Sequence, residues 1–506
     1  MNGSVNTYFL GIDFGTQSVK VGLFDNVFNC KSIASSPYET FYPKNGWAEQ
    51  KPEDWWKALK NALSMCLQKA DVSPEYIAGL TACATSSTVM AVDEEGIPLY
   101  PSILWMDTRS KLEMDDINKV NHRGLMDCGG QVSAEWYVPK LLWLKRNEPD
   151  IYKRSYKIVE QLDWINFKLT GQWVASTCNA TCKWNYNSQR NDWDDDFFYG
   201  LGINDFRTKL PDAVIPISGY IGHLSHKTAT ELNLPITLAV YQGGIDAYIA
   251  AIGTGALHQG QLAMVMGSSF VYLAISSTSI SGQNGLWGPY YGALLPERWV
   301  IEGGQLSGAS ITQWFEREFL NDIDKHVKFQ VLMNAVNEIE HGSEGLLVFD
   351  GWQGNRNPYN DPLATGIITG LTLKHTRFHI YRAILEAVGY GTRNVLDAIS
   401  ENGQRIERII VCGGASQNSV WNQIISDICG RTLESLMFSE AGLLGCAIVA
   451  QTGAGKFRSI LEASDKVKRE VKVYNPNTEL KELSDEKFRL YKDLYERNRS
   501  LFGSLT

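Results

Sequence analysis

Three absences bound what this 506-residue chain can be. No apolar run reaches the ~20 residues needed to cross a bilayer. The opening residues, Met-Asn-Gly-Ser-Val-Asn-Thr, carry neither a basic patch nor an apolar signal core. A cytoplasmic protein with no membrane partner is therefore expected. Basic excess is missing too: 47 Lys and Arg stand against 56 Asp and Glu, a net charge of −9. That argues against nucleic acid as a main partner, although a small anionic ligand feels local rather than net charge. Paired cysteines are the third absence. The nine cysteines, at 30, 66, 83, 128, 178, 182, 412, 429 and 446, include no Cys-x-x-Cys. The close pair Cys178 and Cys182 is followed by no Cys/His set at zinc spacing. Most are expected as small core residues, with no structural metal and no disulfide.

What is present reads as a large globular protein. The length exceeds what one core supports, so two large domains are expected. With 44% hydrophobic and 20% charged residues the composition is that of a folded protein. The 15 tryptophans and 22 tyrosines are numerous. Most of them serve a core, but flat aromatic faces are also what sugar sites use.

The most informative segment is 8–25. Two apolar runs flank Asp13-Phe14-Gly15-Thr16-Gln17-Ser18, and the second alternates at Val19, Val21 and Leu23. This predicts strand, tight turn, strand. Gly15 turns where a side chain would clash. The turn amides with the hydroxyls of Thr16 and Ser18 form a small anion cradle of the kind that grips phosphate. Asp13 can hold a metal ion that does the same. An ordinary glycine hairpin would look no different locally.

The rest of the N-terminal half alternates helix and strand. Glu53-Asp54-Trp55-Trp56 opens a helix patterned on Trp56, Leu59, Leu63, Cys66 and Leu67, and Tyr76–Cys83 and Val89–Val92 read as strands. A helix is expected after Pro139, and 185–215, polar and aromatic-rich, as a surface excursion. At Gln242-Gly243-Gly244-Ile245-Asp246 an alanine-rich helix begins that ends at Gly253-Thr254-Gly255. Glycines on both sides make it a plausible hinge. Residues 260–273 then repeat the opening grammar, with Gly267-Ser268-Ser269 at the turn. A duplicated fold offering one phosphate hairpin per half predicts a nucleotide clamped between two domains. Segment 408–412 is a strand running into Gly413-Gly414-Ala415-Ser416-Gln417-Asn418 and a helix closed by Gly430. Glycines let a base lie on the backbone, and the helix dipole favours phosphate. Residues 440–455 read as a close-packed helix of small residues, and 476–502 as a charged helix with a solvated face.

Phosphoryl transfer needs a phosphate cradle, a magnesium anchor and a base aimed at the acceptor hydroxyl. Asp13, Asp107, Asp163, Asp246 and Glu302 are candidate carboxylates. Asp246 stands out because it follows two glycines and opens a helix. A helix N-cap would use the same residue.

Four motifs together resemble the FGGY family of carbohydrate kinases, within the sugar kinase, Hsc70 and actin superfamily. They are Gly11-Ile12-Asp13-Phe14-Gly15-Thr16, Gly243-Gly244-Ile245-Asp246, Gly351-Trp352-Gln353-Gly354-Asn355-Arg356-Asn357-Pro358 running on to Asp361-Pro362, and Gly413-Gly414-Ala415. The resemblance spans nearly the whole chain. It implies an α/β fold of two actin-like (ribonuclease H-like) domains, 1–244 binding sugar and 245–506 binding nucleotide, with a catalytic cleft between them. It implies ATP and Mg2+, a small-molecule sugar substrate and a homodimer. Asp246 would be the base. Gly15, Thr16 and Gln17 with Gly267 and Ser268 would hold the triphosphate, Asp13 the magnesium, and Gly413, Gly414 and Asn418 the adenosine.

The sugar is read from smaller resemblances. Xylulose kinases carry a Met-His pair where this chain has Ala84-Thr85-Ser86-Ser87-Thr88. That stretch, and Gly130-Gln131-Val132-Ser133-Ala134-Glu135-Trp136-Tyr137-Val138-Pro139-Lys140, are similar to the ribulose kinase branch. So are Lys183-Trp184 and Glu302-Gly303-Gly304-Gln305. Ala84, Lys183, Asp246 and Glu302 are thereby implied as sugar ligands. An ammonium and a carboxylate are a donor and an acceptor for adjacent hydroxyls. Alone, Lys183 would read as a surface ion-pair partner; Trp105 and Trp136 read either as sugar-stacking faces or as core. The expected acceptor is a terminal hydroxyl of a pentulose, ribulose first, although the chain is shorter than typical bacterial L-ribulokinases, which counts against L-ribulose in particular. Xylulose, erythritol and glycerol, or a non-catalytic ATP-binding switch, are the alternatives.

Overall fold

The structure, a computed structural model, describes residues 7–126, 128–279 and 285–505. Residues 1–6, most of the segment read above for a leader, lie outside the described residues. The chain forms two compact units. The first joins Met1–Gly255, Gly288–Val300 and Glu440–Lys468; the second joins Ala256–Trp287, Ile301–Ser439 and Arg469–Thr506. The helix Asp246–Thr254 therefore groups with the first unit.

The first unit is built on a six-stranded sheet in the order Tyr220–His223, Ala239–Tyr241, Ile77–Ala84, Tyr8–Phe14, Ser18–Asp25, Cys30–Pro37. The opening hairpin is antiparallel, pairing Phe14 with Val19. The three strands 239–241, 77–84 and 8–14 run parallel. The helix Pro52–Ala70 starts on a proline, carries Glu53 and Asp54 in its first turn, and buries Trp55, Trp56, Leu59, Leu63 and Cys66. Those side chains join Leu10, Ile12, Val21 and Leu80 in one apolar core.

The helix Ala441–Gly453 also belongs to this unit. It lies close against the first strand and the helix 246–254 because glycines face the contacts. A Cβ on Gly11 would stand 2.6 Å from the Leu443 carbonyl oxygen. One on Gly253 would stand 1.9 Å from the Ala441 carbonyl, and one on Gly445 1.9 Å from that of Ile249. Backbone cannot retreat as a side-chain tip can. Gly445→Ala is expected to destabilise the protein by about 3 kcal/mol, the upper part of the range for overpacking a close-packed interior. Gly200→Ala, where a Cβ meets nothing within 4 Å, is the neutral control. Denaturant melts of the two variants check this, and a Gly445→Ala protein as stable as the control would refute the packing.

The second unit repeats the plan. Its strands run in the order Trp299–Gln305, Phe270–Ser276, Gln261–Met266, Arg408–Cys412, Leu433–Leu436, Val471–Tyr474. The hairpin 261–276 is antiparallel, and 261–266, 408–412 and 433–436 are parallel. Helices Arg377–Glu401 and Ser419–Cys429 bury Ile384, Leu385, Val388, Ile424 and Ile425 in its core.

Three expectations are corrected. The helix expected after Pro139 starts at Tyr137, with the proline in its first turn, where a missing amide proton costs nothing. The 185–215 segment is no mere surface excursion: Phe197, Phe198, Ile203 and Phe206 are buried, and Phe198 stacks on Phe206 at 4.1 Å. The C-terminal helix Lys481–Leu505 shows solvent only part of its circumference, since Phe488, Tyr491, Tyr495 and Phe502 are buried. Seven of the nine cysteines are buried; Cys30 and Cys429 are half-buried. Among the described residues no helix is long and apolar enough to cross a membrane.

Candidate functional site

In the first unit the expected site residues converge at the carboxyl ends of the three parallel strands. Register pairs Asp13 with Cys83 and Phe14 with Ala84, and Ala84 bridges to Ile245. The amide of Ala84 donates to the Gly244 carbonyl at 3.3 Å, and that of Thr85 to the Phe14 carbonyl at 3.2 Å. The hairpin turn, the 84–88 loop and the Gly243–Asp246 junction are thus stitched side by side, where open α/β sheets place their ligands. Gly243 has to be glycine, because a Cβ there would come 1.9 Å from the Ala82 carbonyl oxygen.

Asp246 is the first helical residue; Ile245 takes the N-cap position, so the capping reading is corrected. Its Oδ1 accepts from the Ala247 amide at 2.7 Å, and the helix N-terminus favours its negative charge. Asp13 accepts from the Cys83 thiol at 3.5 Å. Burial pushes its carboxyl up, with Lys20 opposing. Lys20 in turn pairs with Glu440 at 2.6 Å.

An anion cradle requires its carbonyl oxygens to point away from the anion. Here every turn carbonyl is tied down. The Tyr38 hydroxyl donates to Gly15, the Gln50 side-chain amide to Thr16 at 2.7 Å, and the Tyr38 amide to Gln17 at 3.1 Å. The Trp105 indole donates to the Thr16 hydroxyl oxygen at 3.1 Å, which leaves the hydroxyl proton to donate elsewhere. Tyr38 is nine-tenths buried, and burial pushes its hydroxyl pKa up. The Asp13 and Asp246 carboxylates add to that, and the Gln161 amide opposes it. Tyr38 therefore stays neutral and serves as a donor. Gln161 accepts from Thr85 at 3.2 Å through its oxygen. The sequence reading missed Tyr38 and Gln161 as site residues. Gln50 likewise carried no expected role.

Lys183 ends the helix Thr177–Lys183, where a cation complements the helix dipole. It is 4% exposed, with its ammonium 4.9 Å from the Trp136 ring and 5.7 Å from that of Tyr290. A surface lysine is thereby excluded. Ala84 is fully buried.

The other expected residues lie in the second unit. The Gly267 and Ser268 carbonyls accept from the amides of Ala309 and Ser310, both at 3.1 Å, in the first turn of the helix Ala309–Phe319. A helix N-terminus here does what Tyr38 and Gln50 do for the first hairpin. Register sets Val265 beside Cys412, so the Gly267 turn and the Gly413-Gly414 turn leave neighbouring parallel strands. Gly413 has φ of 95°, and a Cβ on it would stand 2.6 Å from the Met266 carbonyl. A Cβ on Gly414 would meet nothing within 4 Å, so its backbone is open to a flat ligand. Asn418 caps the following helix, accepting from the Trp421 amide at 3.1 Å. Glu302 is 5% exposed on the strand Trp299–Gln305. That strand is pinned by Gln305, which donates to Asp350 at 2.6 Å and accepts from Tyr272 at 2.7 Å.

The N-terminal domain of the FGGY family of carbohydrate kinases matches residues 8–253 and the C-terminal domain residues 262–454. The chain belongs to the FGGY family of carbohydrate kinases. It is an ATP-dependent phosphotransferase whose acceptor is an alcohol group of a sugar. The ribulokinase of Geobacillus thermodenitrificans is 30% identical to it, covering 97% of this chain and 94% of that one. The xylulose kinase of Staphylococcus xylosus is 28% identical, covering 97% and 100%. Among solved structures, a gluconate kinase from Lactobacillus acidophilus superposes with a TM-score of 0.88 at 22% identity, covering 99% of this chain and 100% of that chain. That likeness shows the two-domain α/β fold expected from the sequence.

Proposed function

We propose that this FGGY kinase phosphorylates a terminal hydroxyl of a pentulose, ribulose before others. Asp246 takes the proton from that hydroxyl, the hydroxyl oxygen bonds to the γ-phosphorus of ATP, the bond to the β-phosphate oxygen breaks, and ADP leaves. The carbonyl-free turns at Gly15–Gln17 and Gly267–Ser268 bind phosphate oxygens, and the open backbone at Gly413–Gly414, with Asn418, takes adenosine. Ala84, Lys183 and Glu302 bind the sugar.

Asp13 suits Mg2+. Among the described residues no group of three or more His, Cys, Asp or Glu could hold a metal. Magnesium in kinases needs only one or two carboxylates, completing its shell with water and phosphate. It would supply charge neutralisation at the transferring phosphoryl group.

The buried ammonium of Lys183, backed by two aromatic faces, is the observation that carries the sugar reading. A buried donor of this kind rejects analogues lacking its partner hydroxyl. The ribulokinase and xylulose kinase relatives keep xylulose as the second reading. A coupled ADP-release screen over D- and L-ribulose, D- and L-xylulose, ribitol, erythritol and glycerol decides. The highest kcat/KM is expected with a ribulose; a xylulose or a polyol outperforming both ribuloses overturns the assignment.

A further inference from the structure

Lys140 is fully buried in the helix Tyr137–Asn147. Its ammonium donates to the Ser87 carbonyl at 2.8 Å and to the Leu104 carbonyl at 2.6 Å. Burial pulls its pKa down to about 7, against the attraction of Asp107, Glu135 and Glu160. Burying an amine whose hydrogen bonds go to neutral carbonyls is a costly device, and an apolar side chain would avoid that cost only by stripping the Ser87 and Leu104 carbonyls of this donor. Packing alone therefore does not account for the choice of lysine.

What the two carbonyls belong to does. Ser87 lies in the loop that begins at Ala84, and it holds φ of 58°, a left-handed conformation that costs about 1 kcal/mol in a residue other than glycine. Val89, just after this loop, pairs with Glu160, whose buried carboxylate accepts from the Trp184 indole at 2.6 Å and the Asn179 amide at 2.7 Å. Leu104 precedes Trp105, whose indole bonds the Thr16 hydroxyl. One ammonium therefore spans the loop that carries Ala84 and the segment that reaches the first phosphate turn.

We propose that Lys140 is a positioning residue for the acceptor sugar: it holds the 84–88 loop and the Trp105 segment at the separation the sugar requires, without touching the sugar. The inference rests on the reading of Ala84 and its neighbours as the acceptor site.

The test is Lys140→Met, with Lys140→Gln as a second variant that keeps one amide donor. Steady-state KM for the best sugar of the screen, KM for ATP, and the thermal midpoint are measured for each. For Lys140→Met the sugar KM is expected to rise about ten-fold or more, the effect of losing charge-assisted bonds. The ATP KM should rise by a much smaller factor, since the Trp105 segment reaches only the Thr16 hydroxyl, the thermal midpoint should fall modestly as the Ser87 carbonyl loses a donor, and Lys140→Gln should fall between wild type and Lys140→Met. An unchanged sugar KM in either folded variant overturns the proposal. So do sugar and ATP KM values that rise by the same factor, which is what a purely structural residue would produce. If Lys140→Met does not fold, the sugar KM of Lys140→Gln decides alone. A wild-type protein that turns over no sugar in the screen defeats the acceptor-site reading and this inference with it, whereas an active wild type with indifferent variants defeats the inference only.

Discussion

Asp246→Asn should lower kcat by about 10³-fold, within the range that a positioned general base contributes. The substitution is nearly isosteric. An amide oxygen can still accept from the Ala247 amide, the bond the carboxylate makes at 2.7 Å, so the helix start survives. What disappears is the capacity to take a proton. ATP affinity, read by nucleotide titration, should stay at the wild-type value, because no nucleotide-binding group is altered. Sugar-dependent ADP release is the quantity to follow. Turnover within ten-fold of wild type would remove Asp246 as the base and leave Asp13 as the carboxylate at the same strand ends.

Lys183→Met has the second largest expected effect, an increase in sugar KM of about 100-fold, the upper end for one charged hydrogen bond. Methionine keeps most of the stem that packs against Trp136 and Tyr290, so the change removes the charge and three donors more than the packing. The ATP KM should hardly move. A cycle sharpens the assignment: a deoxy-sugar lacking the partner hydroxyl should lose affinity for wild type and lose little more for the variant. An unchanged sugar KM, or full additivity with every deoxy analogue tried, would remove Lys183 from the sugar site.

These two residues show how differently a candidate site is written along the chain. Asp246 was legible because its signal is local: two glycines, a carboxylate and a helix start lie in consecutive positions. Both hairpins were likewise marked by a glycine between apolar runs, but the expected clash at Gly15 is corrected: a Cβ there would meet only the Ser18 carbonyl at an ordinary 3.6 Å. Lys183 was legible only through likeness to a family motif, since composition favours an exposed lysine and its aromatic surroundings come from residues 136 and 290. Tyr38 and Gln161 had no sequence signal for a role, and Lys140 only closed a stretch similar to the ribulose kinase branch. Tyr38 and Lys140 bond backbone carbonyls, which leave no side-chain pattern to read, and the Thr85 hydroxyl that donates to Gln161 lies 76 positions away.

The helix Ala441–Gly453 marks the same boundary in the fold. Its close packing could be read from its small residues. Its unit could not, because a helix apolar all round has no face that names its neighbour. Periodicity, glycine placement and the order of four motifs, all properties of neighbouring residues, determined the element types, the duplicated hairpin and the kinase family. Tertiary structure alone decided which unit claims each segment, which side chains turn the hairpin carbonyls away from an anion, and that Lys183 is buried. Those outcomes depend on residues tens to hundreds of positions apart meeting within a few ångströms, and no local pattern carries that information.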